Sequence, residues 1–234
     1  MTEGTLRGNG DLEAARKHYN RVAGLYDFMD ILEERTLRPL RQRLLSRAKG
    51  KVLEVGVGTG KNFPYYPSDV TVIGIDVTEK MLAHARKRVN GRGLPVGLMV
   101  GDVQTLEFHD DVFDTAVSTF VFCSVPDPVR GLRELQRVVK PDGQILLLEH
   151  IHTKHPGPGF LGSLFARLFG LEIDNHFTMK CVEQAGLMIE SLDHLGKDRT
   201  VKMIAAKPSK SSFAQLEDER PSNFTLLSAR SSHI

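Results

Sequence analysis

Residues 51–62 read Lys-Val-Leu-Glu-Val-Gly-Val-Gly-Thr-Gly-Lys-Asn, with glycines at 56, 58 and 60 directly after an apolar run. Val52, Leu53 and Val55 suit a buried parallel strand, and the glycines let backbone press against a ligand without side-chain interference. A helix should follow, whose free N–H groups attract an anion or a carboxylate. The Gly-x-Gly-x-Gly spacing differs from the Gly-x-Gly-x-x-Gly of dinucleotide sites and lacks the Gly-Lys-Ser/Thr ending of a phosphate loop. Glu54 stands two positions before the first glycine, where a carboxylate repels phosphates but accepts from an ammonium. Asp76 ends the next apolar run, Thr71–Ile75, at the distance where an acidic residue grips ribose hydroxyls.

The elements that must hold these residues alternate between strand and helix patterns, which argues for a mainly parallel sheet with helices on both faces. Residues 12–50 have a helical pattern in which Pro39 is expected to separate two pieces, with Gly50 as the stop. Thr78 is placed to cap a helix ending near Asn90, and Asp127-Pro128 to start another as N-cap and first residue. Val96–Val100 and Phe113–Ser118 read as strands, and Pro141-Asp142-Gly143 as a turn into a strand over Gln144–Glu149. Phe177–Ala185 reads as a helix stopped by Gly186, with Leu187–Leu195 and Thr200–Lys207 as a closing antiparallel hairpin. Residues 1–11 and 208–234 are polar, with little periodicity, and are expected to be mobile.

Glu54, the three glycines, Asp76 and Asp102 resemble the S-adenosylmethionine (SAM) site of class I methyltransferases, and the resemblance extends over residues 15–206. It implies a Rossmann-like α/β fold, with a mostly parallel seven-stranded sheet and a helical lid over residues 12–50. It also implies SAM as cofactor, a zwitterionic cation without phosphate. Asp76 would bind the ribose, with Val77 and Met81 beside it, and Asp102-Val103 would contact the adenine. Tyr19-Asn20-Arg21-Val22-Ala23-Gly24-Leu25-Tyr26-Asp27 is similar to the lid helix of quinone-type and phospholipid-type methyltransferases. Tyr19 and Tyr26, seven apart, share a helix face from which a hydroxyl or ring can reach the methionine end of the donor.

Two further segments bear on the methyl acceptor. Arg35, Arg38, Arg41, Arg43, Arg47, Lys49 and Lys51 fall in a stretch without acidic residues, interleaved with leucines at 37, 40, 44 and 45. Such a helix suits an anionic membrane surface, and equally a solvated face packed by its leucines. The insert 152–176 carries Phe160, Leu161, Leu164, Phe165, Leu168 and Phe169 around the single charge of Arg167, a stripe fit for a substrate roof or for membrane insertion. With Glu149-His150 these segments make the chain most similar to bacterial phospholipid N-methyltransferases, which carry phosphatidylethanolamine toward phosphatidylcholine. Ubiquinone/menaquinone methyltransferases share most of the motifs. His150 is the candidate base for an amine acceptor and Tyr26 a candidate for orienting it; Arg35, Arg38, Arg41 and Arg167 are candidates for lipid phosphate. A quinone, or a small amine, thiol or phenol, is the alternative acceptor, and a SAM-binding module without turnover is a further class.

Composition bounds these readings. At 234 residues and 41% hydrophobic content the chain suits one α/β domain. A net charge of +2 argues against a general nucleic-acid binder, and Cys123 and Cys181 read as reduced core residues. His150, His152 and His155 are the only histidines near ligand spacing, so no metal is expected. Without a membrane span or signal pattern, the expected place is the cytoplasm, peripheral on the inner face of the membrane.

Overall fold

The apolar runs around the glycine loop form the middle of a sheet. In the computed structural model, which describes residues 13, 37–89, 93–150, 179–195 and 201–209, helix α1 covers 37–45. The strands are β1 (Lys51–Val55), β2 (Thr71–Asp76), β3 (Val96–Val100), β4 (Phe113–Thr119), β5 (Val139–His150), β6 (Met188–Leu195) and β7 (Val201–Lys207). Helices α2 (Glu79–Val89), α3 (Pro128–Val138) and α4 (Met179–Gln184) lie between them. The sheet is seven-stranded in the order β3-β2-β1-β4-β5-β7-β6. Strands β1 to β5 pair in parallel, and β7 runs antiparallel to both β5 and β6. The chain steps outward from β1 to β3, then returns to β4. The crevice at the C-terminal ends of β1 and β4 is therefore the topological switch point, where open α/β sheets bind ligands.

Alternation along the strands feeds two cores, one on each face. Leu53, Val55, Ala116 and Leu147 belong to one, with Leu132 and Leu135 of α3. Val52, Val117, Leu146 and Leu148 belong to the other, with Leu44 and Leu45 of α1 and Leu82 of α2. This is the pattern of a sheet covered on both sides, and it explains why the central strands read as continuous apolar runs. Asp127 caps α3 as expected, accepting from the Arg130 amide at 2.9 Å, with Pro128 in the first turn. Gly186, at φ +77°, follows α4 where a left-handed stop was expected.

Pro39 lies within the described helix, near its first residue, and the helical piece expected before it lies outside the described residues. Two expectations need correction. Pro141-Asp142-Gly143 is not a turn ahead of a strand but a bulge inside β5. That strand advances from Val139 to Gln144 while β4 advances only from Phe113 to Thr115. A Cβ at Gly143 would lie 2.9 Å from the Asp114 carbonyl oxygen and 3.0 Å from that of Lys140, so the bulge needs glycine. At the start of the tail, Ser209 is tethered by its amide to Gln136 Oε1 at 2.7 Å. The insert 152–176 and residues 210–234 lie outside the described residues. Among the described residues no helix is long and apolar enough to cross a membrane.

Candidate active site

The glycine loop leaves β1 with Gly56, Gly58 and Gly60 all at positive φ, +62°, +52° and +81°. Space separates their roles. A Cβ at Gly56 would sit 2.4 Å from Val121 Cγ2, so that glycine permits packing of the loop against the turn after β4. A Cβ at Gly58 would meet nothing within 4 Å, so Gly58 faces open space, as backbone that lines a ligand site should. The loop is tied to the end of β2: the Gly58 amide donates to Asp76 Oδ2 at 2.9 Å. Asp76 Oδ1 accepts from the Thr78 amide at 2.9 Å and from its hydroxyl at 3.0 Å. Thr78 precedes α2, and its hydroxyl is turned to Asp76. Burial pushes the Asp76 carboxyl above its ordinary value, and these bonds pull against that rise. Beyond β3, Asp102 Oδ1 accepts from the Gln104 amide at 2.9 Å, and Gln104 Oε1 accepts from the Asp127 amide at 3.0 Å.

Glu54, near the end of β1, is 1% exposed. Its Oε1 accepts from Asn62 Nδ2 at 2.8 Å and its Oε2 from the Tyr66 hydroxyl at 2.9 Å. Asn62 in turn accepts from Arg41 Nη1 through Oδ1 at 2.7 Å. Both Arg41 Nη1 and Asn62 Nδ2 donate to Thr119 Oγ1, each at 3.0 Å. The Arg41 guanidinium also lies 5.5 Å from the centre of the Phe120 ring. Burial raises the Glu54 carboxyl to about 7, opposed by the two hydrogen bonds and by the Arg41 charge. Tyr66 is held well above its ordinary value by burial and by Glu54.

Glu149, near the end of β5, is also fully buried. Its Oε1 accepts from the Ser118 hydroxyl at 2.6 Å, and its Oε2 from the Val121 amide at 3.0 Å. Burial raises it to about 7 as well, against these bonds and one from the Phe122 amide. The turn it grips contains Phe120 at φ +59°, a left-handed conformation that is uncommon for a bulky residue. Cys123, in the same turn, is pushed up to about 12 by burial and then by Glu149, which makes it an inert thiol.

Residues 53–147 match the family model described as "Methyltransferase domain". Over 150 residues the chain is 38% identical to a phosphatidylethanolamine N-methyltransferase of Cereibacter sphaeroides, covering 63% of this chain and 73% of that enzyme. The chain belongs to the SAM-dependent methyltransferases. A demethylmenaquinone methyltransferase of Lactobacillus johnsonii is 31% identical over 176 residues, covering 68% of this methyltransferase and 72% of the other. In fold, a SAM-dependent methyltransferase of Aquifex aeolicus superposes with a TM-score of 0.62 at 20% identity, covering 80% of this chain and 98% of that one. The residues present fit SAM. Gly58 opens onto free space, and carboxylates stand at the ends of β1 and β2 and just beyond β3, where a phosphate ligand would be repelled and a cationic nucleoside held.

The structure gathers most of the expected donor residues of this methyltransferase at one end of the sheet. Val77 is half-buried, and Met81 and Val103 are buried. The Val103 side chain packs toward Gly131, which leaves its backbone as the part able to meet a ligand. Arg38 is exposed, as a surface role requires. Arg41 is not on the surface: it is 8% exposed and turned into the Glu54 network, which corrects its expected place among lipid-facing cations. It precedes the buried Leu44 and Leu45 by one helical turn and so shares their inward face. His150 ends β5 opposite Val201, with its side chain outside the described residues. Tyr19, Tyr26, Arg35, Phe160, Phe165 and Arg167 also lie outside them. Sequence reasoning passed over Asn62, Tyr66, Thr119 and the structural part of Glu149. Asn62 directly follows the Gly-x-Gly-x-Gly-Lys run, which was the one available signal.

Proposed function

We propose that this methyltransferase acts on the amine headgroup of phosphatidylethanolamine, adding methyl groups stepwise toward phosphatidylcholine at a membrane surface. The observation that carries the reading is the 38% identity to the Cereibacter sphaeroides enzyme. Quinone-type methyltransferases among its relatives include several at 28% to 31% identity. The cytoplasmic face of the membrane is the place proposed for the reaction. Arg35, Arg38 and Arg167 face anionic lipid in this reading, and Phe160 and Phe165 meet its apolar part.

In the donor site the glycine loop, Val77, Met81 and Val103 would hold the nucleoside, and Asp102 would accept from the adenine amino group. Asp76 would accept from the ribose hydroxyls. Its carboxylate already takes three bonds of the roughly four it can accept, so the rotatable Thr78 hydroxyl is the donor that gives way. In this reading Glu54 supplies negative charge toward the methionine end, and Tyr19 is a proposed partner of that end. Bound SAM supplies an electrophilic methyl carbon on a sulfonium. The protein's own task is alignment, which for well-oriented groups is worth about 7–11 kcal/mol. An alkylammonium with a pKa near ~10.4 must also lose a proton, at a cost of roughly 4–5 kcal/mol near neutral pH. In this reading His150, which ends β5, takes that proton and Tyr26 orients the amine.

The test is incubation of the full chain and labelled SAM with phosphatidylethanolamine vesicles, followed by chromatography of the lipids. Labelled mono-, di- and trimethyl products are expected. Label on a quinol, or on water-soluble amines without vesicles, would overturn the acceptor assignment.

A further inference from the structure

The basic residues of the N-terminal helix separate into two groups. Arg43 Nη2 pairs with Asp193 Oδ2 at 2.8 Å on the protein surface, and Arg47 Nη1 donates to Ser191 Oγ, both on β6. Arg38 is exposed. Arg41 alone of these four is turned inward, onto the ends of β1 and β4. Burying a guanidinium costs several kcal/mol unless charge and hydrogen bonds compensate it. Among the described residues its compensation is Asn62, Thr119, the Phe120 ring and, one residue further, the Glu54 carboxylate.

Asn62 stands between cation and anion, its carbonyl facing Arg41 and its amino group facing Glu54 and Thr119. With Arg41 in place the amide has one orientation that satisfies every partner. Turned over, it would aim its amino group at a guanidinium and its carbonyl at a carboxylate. We infer that Arg41 is a positioning residue for the methyl donor, which docks α1 onto the ends of β1 and β4 and fixes Asn62, thereby setting the orientation and charge of Glu54. This inference rests on the reading that the donor occupies the glycine-loop end of the sheet. It goes beyond that reading by making donor binding depend on the seating of α1.

The groups that bear on the Glu54 carboxylate are Tyr66, Asn62, Arg41 and Asp76. Of these, Arg41 brings the positive charge, and Asp76 opposes ionisation. A donor with a cationic methionine end prefers Glu54 ionised. Its affinity should rise as pH passes about 7, with a proton released on binding below that value. Calorimetric titration of the full chain with SAM, on both sides of neutral pH and in buffers of different ionisation enthalpy, reads both quantities. Arg41→Gln should weaken SAM binding about tenfold at neutral pH, as loss of a charge-assisted hydrogen bond does. It should also move the rise to higher pH by about 1 unit or more. Arg41→Lys keeps the charge without the fork, so it should keep the wild-type midpoint while binding several-fold more weakly. An Arg41→Gln protein with the wild-type midpoint overturns the inference, as does an Arg41→Lys protein that behaves like Arg41→Gln. Should Arg41→Gln not fold, Arg41→Lys decides alone: weaker binding at an unmoved midpoint supports the inference, and unaltered binding overturns it. Wild-type protein that binds no SAM would instead overturn the donor-site reading on which both stand.

Discussion

Glu54 and Glu149 are near twins by burial and differ in what holds them. Each lies near the C-terminal end of a parallel strand, β1 and β5, with β4 between them. Both are fully buried and both are raised to about 7. Register places them on opposite faces. Glu54 pairs with Val117 and shares a side with Thr119, whereas Leu147, two residues before Glu149, pairs with Ser118. Glu54 is held by the side chains of Asn62 and Tyr66, with a cation one residue further on. Glu149 is held by one hydroxyl and by backbone amides of the turn after β4. Side chains can reorient when a ligand arrives, but backbone amides move only with their loop. With the proposed donor site, one carboxylate is thus the candidate to respond and the other to brace, although burial and titration alone would not distinguish them.

The largest effect expected of the pair is on stability against pH, and here the twins should act alike. Below about pH 4.5 each carboxyl is protonated in both the folded and the unfolded chain. Between about 4.5 and about 7 the folded protein keeps a proton that the unfolded chain has lost, so stability falls as pH rises through this window and levels off above it. At 1.36 kcal/mol per pH unit, each group removes on the order of 3 kcal/mol across the window. Asp76, also raised by burial, acts in the same direction. Urea unfolding at stepped pH should show the decline, and Glu54→Gln and Glu149→Gln should each flatten it. A slope unaltered by either variant would mean that neither group holds its proton in the folded state.

Truncation should then separate them. Glu149→Ala leaves the Ser118 hydroxyl and the Val121 amide buried without their acceptor, at a cost of about 2–4 kcal/mol in unfolding experiments. In the protein that remains folded, SAM affinity should stay within a few-fold of wild type. Glu54→Ala should show the reverse weighting, with SAM affinity reduced at least tenfold, because the charge proposed to face the methionine end is gone. Equal loss of SAM binding in both variants would erase the distinction between a responsive and a bracing carboxylate.

The half of this arrangement that was legible in the sequence is the half made of neighbours. Strand periodicity, the glycine spacing and acidic residues at strand ends located β1 to β4, the loop, Asp76 and Asp102, because each signal lies within a few residues of what it positions. Glu149 was visible only as a strand-end acid, since Ser118, its hydroxyl partner, is 31 residues away. By its three-residue spacing Arg41 falls with Arg35 and Arg38 in one basic stripe. The buried Leu44 and Leu45 reveal that position 41 faces inward, and the sheet that buries them is formed by later sequence. Pro-Asp-Gly has turn chemistry in isolation, and only pairing with β4 makes it a bulge.

The finest comparison is a matched pair of hydroxyl deletions. Tyr66→Phe removes the hydroxyl on Glu54 Oε2, and Ser118→Ala removes the hydroxyl on Glu149 Oε1. Each deletes one hydrogen bond to a buried carboxylate, so each should cost about 1 kcal/mol of stability. The loss also takes away a bond that favours the ionised form, so in each variant the carboxyl should titrate higher than in wild type. At Glu149 that change stays within the brace, and SAM affinity at neutral pH should be unmoved. At Glu54 it lowers the ionised fraction of the carboxylate proposed to face the donor, so Tyr66→Phe should weaken SAM binding a few-fold near pH 7 and regain it at higher pH. Recovery with pH is the discriminating feature, because a merely misplaced loop would bind SAM poorly at every pH. If Ser118→Ala shows the same recoverable loss, the two glutamates are coupled through β4 and act as one site.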